Sequence, residues 1–116
     1  MSFSDEQTAK DAALLVLCNC PSLLVASTLA HGLVAANLAA CVNLLPETQS
    51  VYRWEGRIET AQEVPLLIKT TRARYAALER WLAEQHPYDV PEIIALPVTA
   101  GYAPYLQWLA LNTLET

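Results

Sequence analysis

The stretch Cys41–Thr70, with the sequence CVNLLPETQSVYRWEGRIETAQEVPLLIKT, places the strongest constraint on the fold. Its middle contains Tyr52 and Trp54 in a run of β-branched and aromatic residues, the kind that strands favour. Glu55-Gly56 follows this run and predicts a tight reversal, because glycine adopts positive φ without steric cost. We therefore predict a long, bent β-hairpin that extends beyond what one small domain can cover.

The two aromatic residues of this hairpin predict an interface. Tyr52 and Trp54 alternate with Arg53 and Glu55, so both aromatic rings lie on one face of the strand. On a protruding ribbon they would form an apolar patch in water unless another surface covered them. Hydrophobic residues make up 53% of the chain and charged residues only 16%, where about a quarter is usual. We assign Tyr52 and Trp54 to contacts between copies of the chain.

The charge and the cysteines exclude several classes of protein. Twelve acidic and seven basic residues give a net charge of −5, so nucleic acids and anionic membranes are not expected partners. The apolar stretch Leu23–Ala40 has the periodicity of a packed helix rather than of a membrane span. Three unevenly spaced cysteines fit a reducing compartment. Since the acidic N-terminus also lacks the features of a secretory signal, we expect a cytoplasmic protein.

The predicted elements follow the order β-α-β-β-α-β, with one more helix at the end. The apolar run Ala13–Cys18 predicts a buried strand, and Pro21 or Ser22 suits the start of the next helix. The later elements are the strand Cys41–Leu45, the hairpin, the strand Leu66–Thr70, the helix Arg72–Gln85, the strand Glu92–Pro97 and the helix Tyr105–Leu114. We predict an α+β fold of the ferredoxin-like, split βαβ type. It forms a single domain over residues 1–116, with residues 1–11 as a loose arm.

Two residues inside these elements need an explanation. Gly32 within the first helix costs about 1 kcal/mol relative to alanine, which close packing on the sheet would explain. Pro65 precedes the run Leu66–Ile68 and is predicted to begin a strand, where a proline removes no interior ladder bond.

The predicted topology brings distant residues together. Right-handed crossovers place the first and third strands in the middle of the sheet and the fourth beside the first, running opposite to it. Cys18 at the end of the first strand then faces His86–Glu92 at the entry to the fourth. Residues distant in sequence therefore meet there. A cysteine at the end of a buried strand is commonly a small apolar filler. The side chain of Cys20 points the same way as that of Cys18 only if the strand continues to Cys20. The spacing Cys18-x-Cys20 is not that of a C-x-x-C motif.

Five segments resemble the CutA family of divalent-cation-tolerance proteins, in the family's order and spacing across residues 13–112. They are LAACVNLLP (Leu38–Pro46), SVYRWEGRI (Ser50–Ile58), LLIKT (Leu66–Thr70), HPYDVPEIIALPV (His86–Val98) and YLQWL (Tyr105–Leu109). The resemblance implies a homotrimer similar in architecture to the PII signalling proteins, in which the long hairpin extends a neighbour's sheet. It also implies a link to copper and other divalent metal ions.

The resemblance further implies which residues hold the metal. Some family members resemble copper binders that use a cysteine after the first strand and histidines before a Pro-Tyr pair. In this chain these positions are Cys18 and His86. Where members have two successive histidines, the first position is Gln85 here, and an amide oxygen is a poor substitute for imidazole toward copper.

The run His86–Glu92, HPYDVPE, has two interpretations. In the simpler interpretation, the run is a rigid connection, because its two prolines fix the chain at little cost in entropy. In the second interpretation, the run is the wall of a cleft at a subunit boundary. Tyr88 and Glu92 are then available to a ligand, and Lys69 pairs with Glu92. Analogy with PII folds does not establish this second interpretation.

The residues indicate a binding protein rather than an enzyme. Glycine occurs only at positions 32, 56 and 101, so a Gly-rich phosphate loop is lacking. Ser27, Ser50 and His86 stand in unrelated contexts and predict no hydrolytic triad.

The first hypothesis is a cytoplasmic homotrimer that binds copper or another divalent metal ion through Cys18 and His86 and contributes to the response to metal ions. The alternative is a PII-like trimeric scaffold or signalling module. It would bind a small metabolite or a partner protein in clefts between subunits, with metal binding incidental. A thiol oxidoreductase that uses Cys18 and Cys20 is a third hypothesis.

Overall fold

Five strands and three helices make up residues 10–115, the part of the chain that this computed structural model describes. The strands are β1 (Ala13–Cys20), β2 (Cys41–Leu44), β3 (Thr48–Trp54), β4 (Arg57–Thr71) and β5 (Ile94–Pro97). The helices are α1 (Leu23–Ala35), α2 (Arg72–Gln85) and α3 (Ala103–Leu111). This is the predicted βαββαβ order with a final helix, in which β3 and the first half of β4 form the hairpin.

The sheet has the predicted strand order. Its main path is β2-β4-β1-β5, and β3 pairs with the first half of β4. All four pairings are antiparallel. The register of β1 and β5 sets Leu17 opposite Ile94, so the end of β1 lies beside the segment that enters β5. The ferredoxin-like, α+β prediction is confirmed.

The hairpin of β3 and β4 projects from this sheet. Its pairs run from Thr48 opposite Glu63 to Trp54 opposite Arg57. Glu55 and Gly56 form the turn with φ of 50° and 79°, the left-handed values that two-residue hairpin loops require. Nearly all side chains of β3 are exposed. The prediction of a protruding ribbon with a tight turn at this position is confirmed.

The continuity of β4 corrects the prediction that Pro65 begins a strand. Pro65 lies inside β4, opposite Asn19 of β1. Its carbonyl oxygen accepts a hydrogen bond from the backbone N–H of Leu45, with N and O 2.9 Å apart. The N–H and C=O of a strand residue point to the same side. The N–H that proline lacks would therefore face β2. The β2–β4 pairing ends at this level, with Leu44 opposite Leu66, so the missing N–H interrupts no ladder.

The hydrophobic core lies between one face of the sheet and helices α1 and α2. Alternate residues of β1 and β4 point into it, as expected for strands. The buried core residues of these four elements are Val16, Cys18, Cys20, Val64, Leu66, Ile68, Ala26, Leu29, Leu33, Leu78 and Leu82. Helix α1 begins at its predicted cap, because the Ser22 hydroxyl accepts a hydrogen bond from the Val25 N–H at 3.2 Å.

The close contact at Gly32 is made with a helix and not with the sheet. A Cβ atom built on Gly32 would lie 2.6 Å from two ring carbons of Trp81 on α2. The glycine therefore lets the two helices approach each other, which corrects the prediction of packing on the sheet.

Several predicted boundaries shift by two or three residues. Helix α2 has its predicted bounds, and β1 continues two residues further than predicted, to Cys20. β5 begins two residues after the predicted Glu92. Helix α3 begins two residues earlier than predicted, because Pro104 occupies its first turn. It also ends three residues earlier, at Leu111.

The arm predicted for residues 1–11 lies mostly outside the described residues, which begin at Lys10. The carbonyl oxygen of Lys10 accepts a hydrogen bond from the N–H of Ala73 at 2.9 Å, and that of Ala12 accepts one from Arg72 at 2.9 Å. The described start of the chain is thus attached to the first turn of α2.

Candidate metal centre

Cys18, Cys20 and His86 meet at the end of β1. Their candidate ligand atoms all lie within 4.8 Å of one another, and all three residues are buried. The two thiols share a face because β1 remains a strand through Cys20. His86 follows the last residue of α2, and Pro87 keeps it in an extended conformation. The structure thus brings Cys18 and His86 together, as the strand order predicted, and adds a second thiol.

Both ring nitrogens of His86 take part in hydrogen bonds. The backbone N–H of Tyr88 donates to Nδ1 at 3.1 Å, so Nδ1 is the nitrogen without a proton. Nε2 then carries the proton and donates it to the carbonyl oxygen of Asn19 at 2.7 Å. These bonds tie the entry of β5 to the end of β1. A metal ion that binds the imidazole must replace one of them.

The two thiols influence each other's protonation. The hydrogen bond between them and burial raise the pKa of Cys18, and the negative charges of Cys20, Glu92 and Glu63 add to this shift. The same hydrogen bond lowers the pKa of Cys20, against the effect of burial. The two thiols therefore do not ionise independently, and burial opposes the loss of a proton from either of them. Because thiolates are the metal-binding form, an ion would bind here by displacing protons.

The set of donors is chemically soft. Thiolates favour Cu(I) and Zn(II), and imidazole suits copper and zinc. Gln85, which directly precedes His86, is exposed at the end of α2 and outside the cluster. Cys20 supplies a sulfur in the position of a third ligand instead. The residues present therefore fit a soft or borderline ion better than a hard one.

A cavity of about 690 Å³ opens beside the cluster, between the hairpin and the segment 88–92. It is lined by Asn19, Ser50, Val51, Tyr52, Trp54, Glu63, Tyr88, Asp89, Val90 and Glu92. The Tyr88 hydroxyl donates to Oε2 of Glu63 at 2.9 Å, and Nδ2 of Asn19 donates to Oε1 of Glu92 at 3.1 Å. Tyr88 and Glu92, two of the three predicted cleft residues, thus share one cavity with the aromatic residues of the hairpin.

Lys69, the third residue assigned to the cleft, lies elsewhere. In the register of β1 and β4 it is opposite Leu15, near the start of β1. Its Nζ lies 5.9 Å from the ring centroid of Tyr105 and 3.9 Å from Sγ of Cys41. Within one chain, Lys69 and Glu92 lie toward opposite ends of β1. The pairing of Lys69 with Glu92 across a subunit boundary stays a prediction.

Sequence reasoning missed Glu63 as a cavity residue. Glu63 is a carboxylate that immediately precedes the buried run beginning at Val64, and it lies opposite Thr48 at the base of the hairpin. An acidic residue at the start of an apolar strand segment was the available signal. Its partner Tyr88 could not be inferred, because it comes from a loop that is distant in sequence.

Comparisons with known proteins agree with this fold. The family model described as CutA1 divalent ion tolerance protein matches residues 14–112. The divalent-cation tolerance protein CutA of Pectobacterium atrosepticum is 46% identical over 97 residues, which cover 84% of this chain and 88% of that protein. The solved structure of the divalent cation tolerance protein Cut A1 of Thermus thermophilus has a TM-score of 0.86 and 46% identity, covering 87% of this chain and 98% of that one.

A third relative carries a cellular location in its name. The periplasmic divalent cation tolerance protein CutA of Archaeoglobus fulgidus has a TM-score of 0.85 and 31% identity, covering 88% of this chain and 99% of that one. In the present chain, none of the helices between residues 10 and 115 is long and apolar enough to cross a membrane. The agreement in sequence and fold over most of the chain shows that it belongs to the family of CutA1 divalent ion tolerance proteins.

Proposed function

We propose that this chain is a cytoplasmic, homotrimeric metal-binding protein without enzymatic activity, which binds copper or another divalent or soft metal ion and contributes to the response to that ion. The observation that supports it most is the buried cluster of Cys18, Cys20 and His86, whose ligand atoms lie within 4.8 Å of one another. The names of the relatives, which refer to divalent-cation tolerance, support the same role.

In this proposal the two thiols are the principal ligands. Cys18 and Cys20 would hold the ion as thiolates after losing their protons, because a bound cation stabilises the charge that burial disfavours. His86 becomes a third ligand only by giving up its bond to Asn19 or to Tyr88. The buried position of the cluster excludes most competing water.

The homotrimer is supported by the distribution of exposed apolar side chains. On the hairpin, Trp54 is 53% exposed and Ile58 is 68% exposed. On β5, Ile94 and Leu96 are about half exposed, and within the described residues this strand pairs only with β1. A hairpin that docks on the β5 edge of another subunit would satisfy both surfaces, and such head-to-tail contacts close into rings. The number of three subunits rests on the resemblance to the CutA family.

The cytoplasmic location is supported by the free thiols of Cys18, Cys20 and Cys41, which fit a reducing compartment. The name of the Archaeoglobus relative points to another compartment for that protein. Fractionation of the native host followed by immunodetection decides between the two for this chain.

The experiment that tests metal binding is an anaerobic titration of the reduced protein with Cu(I), Cu(II) and Zn(II) in separate runs, against a competing chelator. We expect a thiolate-to-copper absorbance band that saturates at one ion per chain. Cys18→Ala and Cys20→Ala should each lower the affinity, by about 10-fold or more.

Cys41→Ala is the matched control, because Cys41 lies on β2 opposite Lys69 and outside the cluster. It should leave both the band and the affinity unchanged. Equal binding by the wild type, Cys18→Ala and Cys20→Ala would refute the assignment of this cluster.

A second function is favoured by the cavity beside the cluster. Its volume of about 690 Å³ falls within the range of about 300–1,000 Å³ that small-molecule sites occupy. In this second role the protein binds a small metabolite, as the alternative hypothesis from the sequence states, and metal binding is incidental.

A further inference from the structure

The carboxylate of Glu63 faces the cavity without a positive partner among the described residues. Glu63 is only 8% exposed, and its Oε2 accepts one hydrogen bond, from the Tyr88 hydroxyl. Between residues 10 and 115 the one ion pair joins Arg74 and Glu115. A carboxylate withdrawn from water is costly unless hydrogen bonds or a cation compensate for the lost hydration. One neutral hydrogen bond compensates only in part, so the site favours a cation.

The rest of the cavity has the same sign of charge. Asp89 and Glu92 also line it, and among the residues that the structure describes neither a lysine nor an arginine does. A concave surface with carboxylates of one sign concentrates positively charged solutes. The electrostatics therefore select for a cation and against phosphates and carboxylates.

Aromatic rings complete the lining. Tyr52 and Trp54 of the hairpin and Tyr88 of the opposite wall border the cavity. The faces of such rings attract cations and recognise alkylated ammonium groups. A bare metal ion would fill a small fraction of about 690 Å³ and would gain nothing from the apolar part of the wall.

We propose that this cavity binds a small organic cation, an amine or a quaternary ammonium compound. Its charged nitrogen lies beside Glu63, and the alkyl groups on that nitrogen lie against the rings of Tyr88 and Tyr52. The inference rests on the second function proposed above and uses none of the metal ligands. In a trimer the neighbouring subunit forms the outer rim of the site, because the hairpin residues are also assigned to the interface.

The test compares two probes of nearly the same shape. Choline carries a quaternary ammonium group, and 3,3-dimethyl-1-butanol replaces that nitrogen by carbon and is neutral. Both are titrated into the wild-type assembly by calorimetry and by ligand-observed NMR, with a chelator present to remove metal ions. We expect choline to bind about 10-fold more tightly than the alcohol or better.

Glu63→Gln keeps the shape of the side chain and its acceptor for Tyr88 but removes the charge. It should weaken choline binding by about 10-fold and leave the binding of the alcohol unchanged. Glu84→Gln is the matched control, because Glu84 is exposed on α2, away from the cavity, and the net charge changes equally. If Glu63→Gln does not fold, as judged by circular dichroism, the comparison of the two probes on the wild type decides.

Three results would overturn the inference: binding of neither probe, equal binding of both, or a structure of the assembly in which a neighbour's lysine or arginine occupies the place beside Glu63. Equal binding would leave the cavity as a site for neutral metabolites, so the second function would survive. Cys18→Ala should bind choline like the wild type, which separates this result from the outcome of the metal titration.

Discussion

At the scale of single residues, His86 shows which part of a site a sequence can specify. The strand order predicted that His86 would meet Cys18, and the structure places them together. The pattern could not show that both ring nitrogens are already used, because their partners are backbone atoms of Asn19 and Tyr88. Such bonds depend on the conformation of the loop and not on the identity of its residues.

The position of Lys69 shows a different limit of the sequence. Strand register decides which residues lie near each other along a sheet, and a sequence pattern specifies the face of a residue better than its level on the strand. Lys69 lies at the level of Leu15, whereas Glu92 is bonded to Asn19, which lies further along β1. The sequence could not show this separation within one chain, because the level of a residue depends on the register.

Tyr88 provides a prediction for alkaline pH. Burial, the hydrogen bond to Glu63 and the charge of that carboxylate raise the pKa of Tyr88 to about 12. The fold thus favours the protonated phenol. Its stabilising contribution is complete below a pH of about 10, the ordinary pKa of tyrosine, and is lost as the pH rises through about 12. Tyr88→Phe should therefore flatten the decline of stability in this range, measured by urea unfolding at several pH values.

The absorbance of tyrosinate gives an independent measurement of this shift. The chain has five tyrosines, and Tyr75, beside Glu79, also has its pKa raised to about 12. The wild type should show two tyrosines that titrate late, and Tyr88→Phe should show one. Glu63→Gln should lower the pKa of Tyr88, since it removes the charge. Ionisation of all five tyrosines near pH 10 would contradict the prediction.

At the scale of elements, the boundaries that were predicted correctly are those with chemical markers. Helix α2 ends at the His86-Pro87 pair, and its bounds match the prediction, although Thr71 before it makes no side-chain cap. The turn at Glu55-Gly56 is likewise marked by its glycine. The prediction that Pro65 begins a strand was wrong for a related reason. A proline inside a strand is tolerated where a neighbouring ladder stops, and the sequence alone does not show where β2 ends.

The contact between α1 and α2 predicts the effect of Gly32→Ala. Alanine gains about 1 kcal/mol in helix propensity, but its Cβ would lie 2.6 Å from the ring of Trp81. Overpacking of this kind costs about 1–3 kcal/mol. We expect a net decrease in the free energy of unfolding of about 1 kcal/mol, measured by urea titration at fixed protein concentration.

The matched comparison repeats Gly32→Ala in a Trp81→Leu background, where the smaller side chain relieves the overlap. There the same change should be neutral or stabilising, so that the double-mutant cycle shows a favourable coupling. A destabilisation of equal size in both backgrounds would place the cause elsewhere than at Trp81.

At the scale of the whole molecule, the exposed apolar surface predicts the state of assembly. The wild type should have about three times the mass of the 12.8 kDa chain in multi-angle light scattering. Trp54→Asp on the hairpin and Leu96→Asp on β5 should each shift the mass toward that of one chain, because each puts a charge into an apolar contact.

Leu24→Asp is the control for this experiment. Leu24 is 77% exposed but lies on α1, on the helical side of the sheet, so the same change there should leave the mass unaltered. A wild-type protein that remains a single subunit at micromolar concentration would rule out the proposed trimer and leave the fold of the chain intact.

The length of β4 has a mechanical consequence. Its fifteen residues, at about 3.3 Å each, span about 50 Å, close to the longest dimension of the molecule, 49 Å. Its second half lies in the middle of the sheet between β1 and β2, and its first half forms the hairpin with β3. The ribbon is therefore continuous with a central strand of the sheet, so a contact made at the hairpin acts directly on the strand that pairs with both β1 and β2.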